Sequence, residues 1–407
     1  MAKSATLELR VRSGSTVWQR RRLPPLPVSM IRRDISTDVV VVGAGISGAL
    51  VAESLSEAGL AVIMVDKGRP IAGSTSASTA LLQYDLDVPL HRLTQQIGHD
   101  RAYRLWQRSR LALDALGERT QRLRIAAHLA RRDSLYLQGT LLDADGLQEE
   151  ARARRAAGFD VQLLRPSQVR ERYGIAARAA LLGSGCLSAD PRQLAAGYLR
   201  QAIARGSLLC YPARVSEVEP GKTRVLAKLA HGPVIRARHL VFACGYEIPK
   251  GVPRKGHKIA STWAMATRPQ RGWPSGCLIW EASEPYLYLR MGPEGRVICG
   301  GEDEDFRDEQ HRDELLPAKL ATLQRKLARL LPRLDSRADY AWAGSFGLSP
   351  TGTPSIGAVP RMPNCYAVLG YGGNGITFSM LAAQLLRGLI GGDGDADAEL
   401  FAFTRDF

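Results

Sequence analysis

The clearest hydrophobic pattern in the chain covers residues 39–66. Val39–Val42 is an unbroken β-branched run, which is typical of a strand buried on both faces of a parallel sheet. A glycine-rich turn follows, and apolar residues at helical spacing then continue to Gly59. A second apolar run, Ala61–Val65, ends at Asp66. The pattern therefore predicts a strand, a helix and a second parallel strand in close succession.

Similar patterns predict elements of both kinds in the rest of the chain. Helical spacing occurs over three further segments: Leu90–Ala115, Pro166–Tyr173 and Pro317–Leu331. Apolar runs or alternating positions predict strands over Ala213–Val218, Val241–Gly245, Tyr286–Leu289 and Val297–Cys299. The last two strands flank a turn at Gly292–Gly295 and so predict an antiparallel hairpin.

The turn after the first strand has the spacing of a dinucleotide-binding loop. Gly43–Gly48 fits G-x-G-x-x-G. Gly43 permits the tight turn, Gly45 lets a pyrophosphate approach the backbone, and Gly48 allows the helix to pack closely on the strand. The positive end of the helix would face the phosphates. Asp66, which follows Gly48 by 18 residues, is placed to bind a ribose diol.

A second strand, glycine turn and helix near the end of the chain favour a flavin over a nicotinamide. Residues 364–369 form an apolar run, Gly370–Gly375 is glycine-rich, and helical spacing continues over Ser379–Ile390. Such a helix start can point its positive end at the pyrimidine end of a flavin, where negative charge develops on reduction. A domain that binds only NAD does not need this distant element.

These motifs, in this order, resemble the D-amino-acid oxidase-like superfamily of flavoproteins, which includes glycine oxidase, sarcosine oxidase and γ-glutamylputrescine oxidase. The resemblance extends from Thr37 to about Phe403, and its matching segments are Gly43–Gly48, Gly73–Ala80, Ala243–Gly245 and Gly370–Gly375. It implies an α/β fold in which a discontinuous Rossmann-type FAD-binding domain wraps around an α+β substrate domain with an antiparallel sheet.

The expected domain boundaries follow from that resemblance. The FAD-binding domain is assigned residues 37–85, 186–250 and 340–407, and the substrate domain residues 86–185 and 251–339. Residues 1–36 are rich in arginine and proline, and we expect an extended arm that packs on the body through Val17 and Trp18. An organellar transit peptide is the alternative interpretation of this segment.

The motifs and the resemblance together imply a set of FAD-binding residues. They are Gly43, Gly45, Ile46, Ser47, Gly48, Asp66, Lys67, Ser74, Ser78, Thr79, Ala80, Val215, Ala243, Cys244, Gly245, Gly370, Gly372, Gly373, Asn374, Gly375, Ile376 and Thr377. We interpret Cys244 as a small buried residue rather than a redox or flavin-attachment site. Whether the flavin is covalently attached stays open.

The expected substrate pocket departs from the family at its charged positions. In glycine oxidase-like members an arginine binds the substrate carboxylate. An ungapped comparison places Phe346 at the position of this arginine. The substrate-binding arginine and lysine of sarcosine oxidase-like members fall at Gln83 and Thr377, and the oxygen-activating lysine falls at Val297. All four positions are uncharged, which argues against a simple α-amino-acid oxidase.

Tyr286, Tyr288 and Arg290 alternate along one predicted strand and could line the pocket instead. Arg290 is then the remaining candidate partner for a substrate carboxylate. Ordinary sheet packing of the tyrosines and a solvent-facing arginine are the alternatives.

The expected activity is oxidation of a C–N bond in a small amine or amino acid, with hydride transfer to flavin N5 and hydrolysis of the resulting imine. Oxygen is one possible electron acceptor. A dehydrogenase that passes electrons to a quinone or carrier, a 2-hydroxy acid oxidoreductase and a non-catalytic flavoprotein subunit are the alternatives.

Composition limits the other classes of function. The formal net charge is +15, but the arginines are spread along the chain without a nucleic-acid-binding motif. We expect at most weak, salt-sensitive attraction to an anionic membrane and no specific nucleic-acid partner. Six cysteines without CxxC spacing favour a reducing cytoplasm. The acidic run Glu302–Asp305 is interpreted as a solvated loop that complements a helix dipole, and no metal site is expected.

Overall fold

The computed structural model describes residues 9–176, 178–271, 273 and 276–405, so residues 1–8 of the predicted arm lie outside the described part. Its α-helices are α1 (Ile46–Glu57), α2 (Ser74–Ala77), α3 (Leu90–Ile97), α4 (His99–Arg122), α5 (Ala144–Ala156), α6 (Pro166–Tyr173), α7 (Pro191–Ala204), α8 (Glu309–Glu314), α9 (Leu316–Leu330) and α10 (Gly375–Gly391). Its strands are β1 (Arg12–Gly14), β2 (Ile35–Val42), β3 (Val62–Val65), β4 (Leu81–Leu82), β5 (Ala130–Leu137), β6 (Val161–Leu164), β7 (Ala180–Ser188), β8 (Leu208–Cys210), β9 (Val215–Glu219), β10 (Val225–Leu229), β11 (Val234–Phe242), β12 (Lys258–Pro269), β13 (Leu278–Glu281), β14 (Leu287–Met291), β15 (Arg296–Glu304), β16 (Ala338–Leu348), β17 (Ser355–Ala358) and β18 (Cys365–Leu369).

The smaller of two sheets contains the predicted strand, turn and helix. Its strand order is β17-β18-β11-β2-β3-β8, with β9 and β10 attached beside β11. Strand β2 runs parallel to both β3 and β11. Val39 and Val41 pack in the core with the helices, whereas Val40 and Val42 pack in a second core on the other face. The all-valine run therefore reflects burial on both faces, as predicted.

The larger sheet has the strand order β1-β16-β12-β15-β14-β13-β5-β7-β4, with β6 beside β7. Most of its neighbouring pairs are antiparallel, and β13 with β5 is a parallel pair. Helix α9 contributes Leu323 and Leu327 to a core that includes Trp263 and Met265 of β12. The mixed α/β fold with a separate antiparallel sheet is confirmed.

Local sequence signals set several element boundaries. The predicted helix Pro166–Tyr173 is present as α6, with proline in its first turn. Asp190 caps α7 by accepting from the backbone N–H of Arg192 at 3.0 Å. The predicted helix Leu90–Ala115 is wrong in one respect, because Gly98 adopts a φ of 85° and separates α3 from α4.

Two expectations about other elements need correction. The acidic run Glu302–Asp305 is not a solvated loop, because Glu302, Asp303 and Glu304 form the end of β15. The last helix begins at Gly375 rather than Ser379, because the glycine-rich segment passes through a short 3-10 turn directly into α10.

The two sheets divide the chain differently from the expected domain segments, which remain a prediction. Strand β4, expected in the FAD-binding part, pairs with β7 of the larger sheet. Residues 340–348 belong to β16, which pairs with β12 in the same sheet. Strand β7 itself crosses the expected boundary at 186. The last segment of the smaller sheet thus starts at β17, after residue 348.

The N-terminal arm is part of the larger sheet and its core. Strand β1 pairs antiparallel with β16. Val17 and Trp18 are each 3% exposed and pack with Ile298 and Trp342. The Trp18 indole donates a hydrogen bond from Nε1 to the carbonyl of Ser78 at 2.8 Å. Packing through Val17 and Trp18 agrees with the sequence prediction, whereas the pairing of the arm with a sheet was not foreseen.

We predict that Trp18→Ala lowers the free energy of unfolding by about 3–5 kcal/mol, the usual cost of emptying a buried tryptophan site. Gln19→Ala, an exposed neighbour, should change it by less than about 0.5 kcal/mol. Urea unfolding followed by circular dichroism measures both. A Trp18→Ala protein as stable as the Gln19→Ala control would show that the arm contributes nothing to the body.

Candidate active site

A cavity of about 1330 Å³ is lined by residues of both sheets. From the smaller sheet it receives the ends of β2 and β3, at Val42 and Val65. From the larger sheet it receives Ala260 and Ala264 of β12 and Tyr288 of β14. A cavity of this size holds a ligand considerably larger than a simple amine.

The glycine turn borders the cavity at the start of α1, and its three glycines have different reasons to be glycine. Gly43 has a φ of 110°, and a Cβ there would lie 2.4 Å from the Ala243 carbonyl oxygen. A Cβ on Gly48 would lie 1.9 Å from the Gly43 carbonyl oxygen. A Cβ on Gly45 would meet only the Thr75 hydroxyl, at 3.1 Å. The first two glycines therefore shape the turn, while Gly45 keeps space open for a ligand.

Asp66 lies at the end of β3, beside this turn. Its Oδ2 accepts from the Ala44 N–H at 2.8 Å, and its Oδ1 accepts from the Gly68 N–H at 2.9 Å. Burial raises the pKa of Asp66, and these two N–H donors oppose the shift. Since a carboxylate has about four acceptor sites, each oxygen keeps capacity for a ribose hydroxyl. The neighbouring Lys67 pairs with Glu247 at 2.7 Å.

The two predicted helix starts face the same cavity. Ile46 and Ser47 line it at the start of α1, and Gly375, Ile376 and Thr377 line it at the start of α10. The helices are joined near these ends by a 2.8 Å hydrogen bond between the Ser47 and Ser379 hydroxyls. Two positive helix ends, a turn opened by Gly45 and a carboxylate at Asp66 fit the pyrophosphate, flavin and ribose of FAD.

Most of the predicted FAD-binding residues line the cavity, including Ser74, Ser78, Thr79, Ala80 and Val215. Gly48 and Gly370 do not. Gly370 has a φ of 74°, and a Cβ there would lie 2.1 Å from His257 Nδ1. It is a glycine because of the His257 ring rather than because of a cofactor. Burial raises the pKa of the Cys244 thiol, which favours its interpretation as a small buried residue.

The predicted substrate-side residues Gln83, Tyr286, Tyr288, Phe346 and Thr377 all line the cavity. Val297 does not, since its side chain packs in the core of the larger sheet. The ungapped comparison is therefore wrong at that position.

The expectation for Arg290 also needs correction, because this side chain lies outside the cavity lining. Its guanidinium donates to the carbonyls of Thr79 at 2.7 Å and Ala189 at 2.8 Å. It also lies 5.3 Å from the centre of the Trp18 ring. The N-terminal arm and two loop carbonyls thus surround Arg290, so it supports the structure instead of meeting a substrate carboxylate.

Sequence reasoning missed two carboxylates in the cavity wall, Asp87 and Asp303. Asp87 follows β4, and its Oδ2 accepts from the Gly373 N–H at 3.1 Å. Asp303 lies near the end of β15 with both carboxylate oxygens buried. Burial raises the pKa of each carboxyl to about 6. The alternation Val297, Cys299, extended to residue 303, would place Asp303 in the core of the larger sheet; it lines the cavity instead because the pairing of β12 with β15 shifts register between Ser261 and Trp263. Asp87 has no comparable signal in the sequence.

The segment from Gln83 to Asp87 is held against the start of α10 from several points. Thr377 Oγ1 donates to the Gln83 carbonyl at 2.9 Å, and Asn374 donates to the Asp85 carbonyl. The Asp85 side chain pairs with Arg154, which also donates to Glu150 at 2.7 Å. A buried ion network therefore fixes the segment that joins the expected flavin end to the substrate end.

The N-terminal arm reaches the site as well. Leu9, Arg10, Val11 and Arg12 line the cavity, and Arg12 donates from Nε to the Ala72 carbonyl at 2.8 Å. No motif in the arm indicated this placement, because the pairing of β1 with β16 depends on residues distant in sequence.

These features define a class: a two-sheet flavin-dependent oxidoreductase whose dinucleotide loop and expected substrate-side residues line the same cavity. Residues 38–389 match the model of the FAD dependent oxidoreductase family, and the chain belongs to that family. The protein is accordingly an FAD-dependent enzyme. The resemblance predicted from the motifs is confirmed.

Individual relatives are distant. The probable oxidoreductase OrdL of Haemophilus influenzae is 23% identical over 374 residues, covering 88% of this chain and 84% of that protein. The γ-glutamylputrescine oxidoreductase of Escherichia coli is 23% identical over 385 residues, covering 91% and 87%. The crystal structure of glycine oxidase from Geobacillus kaustophilus superposes with a TM-score of 0.75 at 21% identity, covering 92% and 100%.

Membrane-spanning helices and metal centres are two other features to consider in the described residues. None of the described helices combines the length and apolar character that crossing a bilayer requires. Within the described ranges, no group of three or more His, Cys, Asp or Glu side chains is arranged to hold a metal ion.

We predict that Gly45→Ala yields a folded protein that binds much less FAD, because the added methyl enters the ligand space and meets only the Thr75 hydroxyl. Gly391→Ala, at the far end of α10, is the control and should keep full flavin. The ratio of flavin absorbance to protein absorbance, together with circular dichroism, measures this. Stoichiometric flavin in Gly45→Ala would contradict the assignment of the loop. Gly48→Val is less informative, since its side chain collides with the Gly43 backbone in any case.

We predict that Asp303→Asn makes the protein more stable at pH 7.5. The pKa of Asp303 is about 6 in the folded protein and about 3.9 when unfolded, so folding takes up a proton between these values. Stability is therefore lost as the pH rises through this window, with Asp87 adding to the shift and Thr262, Tyr286 and Lys319 opposing it. Asparagine does not undergo this loss.

The gain in unfolding free energy should be about 2 kcal/mol larger at pH 7.5 than at pH 4.5, measured with excess FAD. Asp133→Asn, at an exposed position, is the control and should show little pH-dependent gain. Equal effects of the two variants at both pH values would mean that Asp303 ionises normally.

Proposed function

We propose that the enzyme oxidises the C–N bond of a small amine that carries no carboxylate beside the reacting carbon. The observation that carries the proposal is the lack of a clamping arginine among the described residues of the substrate chamber. Phe346, which the ungapped sequence comparison assigns to the arginine position of glycine oxidase-like members, lines the cavity, and Arg290 lies outside the lining. The arginines that do line the cavity are Arg10, Arg12, Arg69 and Arg214.

Each of these arginines either bonds to another group of the protein or lies near the expected nucleotide. Arg10 pairs with Asp313 at 2.5 Å. Arg12 bonds to the Ala72 carbonyl, and Arg69 belongs to the same loop. Arg214 follows Ala213, whose N–H donates to the Asp66 carbonyl at 2.7 Å. A substrate carboxylate brought against Phe346 would lose its water without gaining a partner, which costs several kcal/mol.

When bound, FAD would supply the acceptor for a hydride, which carries both electrons, from the carbon next to nitrogen. The residues of the chain orient and desolvate the amine. Tyr246, Tyr286, Tyr288 and Trp280 provide aromatic walls that exclude water. Burial, followed by the charge of Asp303, raises the pKa of the Tyr286 and Tyr288 phenols, so both stay protonated as hydrogen-bond donors. Loss of this hydride and of one N–H proton converts the amine to an imine. Water then hydrolyses the imine to a carbonyl compound and ammonia.

The names of two related proteins support nitrogen chemistry. One is a γ-glutamylputrescine oxidoreductase and the other a glycine oxidase. The first name denotes a substrate that contains the amine putrescine. The electron acceptor, oxygen or a carrier, is decided by experiment.

The test is anaerobic addition of three substrate groups to the holoenzyme, followed by the visible absorbance of its flavin. Alkyl amines should bleach the flavin, whereas glycine, sarcosine, D-alanine and 2-hydroxy acids should do so at least about tenfold more slowly, the discrimination expected from one unpaired buried charge. Turnover with oxygen or only with an artificial dye then separates an oxidase from a dehydrogenase.

Phe346→Arg provides the matched variant. It should raise kcat/KM for glycine or sarcosine by about tenfold or more and leave alkyl amines no better than before. Efficient oxidation of glycine or of a 2-hydroxy acid by the unaltered enzyme would refute the proposal. A flavin that none of the three groups bleaches would point to a non-catalytic flavoprotein subunit.

A further inference from the structure

The substrate chamber is acidic, although the chain as a whole carries a formal charge of +15. Away from the Asp66 loop its acidic lining residues are Asp87, Glu281, Glu284, Asp303, Glu304 and Asp305. The described basic residues that line it there are Lys319 and, on the N-terminal arm, Arg10, which pairs with Asp313, and Arg12, which bonds to the Ala72 carbonyl. Such an excess favours a cationic ligand over an anionic one.

Several of these acids are neutralised by the protein itself. Glu281 pairs with Arg178, and Asp305 pairs with Lys258 at 2.7 Å. Lys319 lies 2.5 Å from Glu304 and donates to the Glu302 carbonyl at 2.9 Å. In the described part of the chain, no ion pair involves Asp87 or Asp303.

Asp303 is the more constrained of the two. Both of its oxygens are buried, and none of the described residues completes a hydrogen bond of normal geometry to them. The Thr262 and Tyr286 hydroxyls lie beside the carboxylate and help to hold its negative charge. The charge of Lys319 acts on this carboxylate, but Lys319 pairs with Glu304. A buried carboxylate without an ion pair is unfavourable, and a ligand ammonium would supply both the paired charge and the N–H donors.

Asp87 acts on the same space. Its side chain is exposed to the cavity and accepts a hydrogen bond from the Gly373 N–H. The charges of Asp303 and Asp87 both act on the Tyr286 phenol, and the charge of Asp87 also acts on Asp303. The two carboxylates and the tyrosine therefore line one cavity and lie close enough for their charges to interact.

Aromatic faces complete the surroundings. The centres of the Tyr286 and Tyr288 rings lie 5.7 Å apart. Burial, together with the negative charge of Asp87, raises the pKa of the Tyr246 phenol. An ammonium held by carboxylates beside aromatic rings gains cation–π stabilisation as well as charge pairing.

We propose that Asp87, Asp303 and Tyr286 form a binding subsite for a second ammonium group of the substrate, remote from the amine that is oxidised. The substrate class is then a diamine or a longer polyamine with a free cationic end. This inference rests on the proposed amine oxidation, because it assigns the end of the substrate that does not react.

The experiment compares 1,4-diaminobutane with butylamine, which has the same chain length and one charge fewer, on the holoenzyme. The unaltered enzyme should prefer the diamine in kcat/KM by at least about tenfold, the worth of one charge-assisted hydrogen bond. Asp303→Asn and, independently, Asp87→Asn should remove most of this preference through KM for the diamine. Asp133→Asn, exposed on β5, is the control and should preserve it.

Binding is measured separately from turnover. Dithionite-reduced holoenzyme cannot oxidise an amine, so calorimetric titration of this form with 1,4-diaminobutane reports the subsite alone. The affinity should fall at least about tenfold in Asp303→Asn. If no amine is oxidised but this difference appears, the subsite stands and the proposed function fails.

Two results would overturn the subsite while leaving amine oxidation intact. One is equal kcat/KM for butylamine and 1,4-diaminobutane, unchanged in both asparagine variants. The other is an equal loss of kcat for both substrates in Asp303→Asn, which would mean that this carboxylate acts on the reacting amine.

Discussion

The buried Arg154 guanidinium is the group on which the shape of the site depends. It is 3% exposed and lies between Asp85 and Glu150, with the Trp106 ring 4.7 Å below it. Removal of one member of such a network leaves an unpaired buried charge, which costs about 3–5 kcal/mol. Because the Asp85 backbone is in turn bonded to the start of α10, the network fixes the substrate wall and the second helix end in one arrangement.

Charge is distributed in opposite ways inside and outside the molecule. The arginine-rich exterior gives the chain its positive total, whereas the chamber keeps two carboxylates without basic partners among the described residues. Carboxylates in such surroundings weaken the fold at neutral pH, and natural selection retains groups of this kind where a ligand uses them. The ionised Asp303 therefore lowers the stability of the fold while it provides the cavity with a negative charge. Arg154, in contrast, both stabilises the fold and fixes the shape of the site.

The parts of the protein that the sequence predicts well are those with local causes. The valine run of β2 and the turn at Gly43 follow from burial on two faces and from a positive φ, and both are readable within one short segment. Arg290 could not be assigned in the same way. Strand alternation gives its face correctly, but its surroundings depend on Trp18, which arrives from a distant part of the chain. Asp87 and Asp303 come from different segments, and only the tertiary structure brings them to one wall.

The pairing of β1 with β16 affects the order in which the protein can be completed during synthesis. Arg12 faces Gly344 in this pair, so the two strands leave the ribosome more than three hundred residues apart. At a synthesis rate of about 5–20 residues per second, β16 is completed on the order of tens of seconds after β1. The wall that Leu9–Arg12 contribute therefore forms only after β16 has emerged. The complete cavity wall therefore forms late in synthesis, and a chain stalled before β16 has the dinucleotide loop but an open pocket.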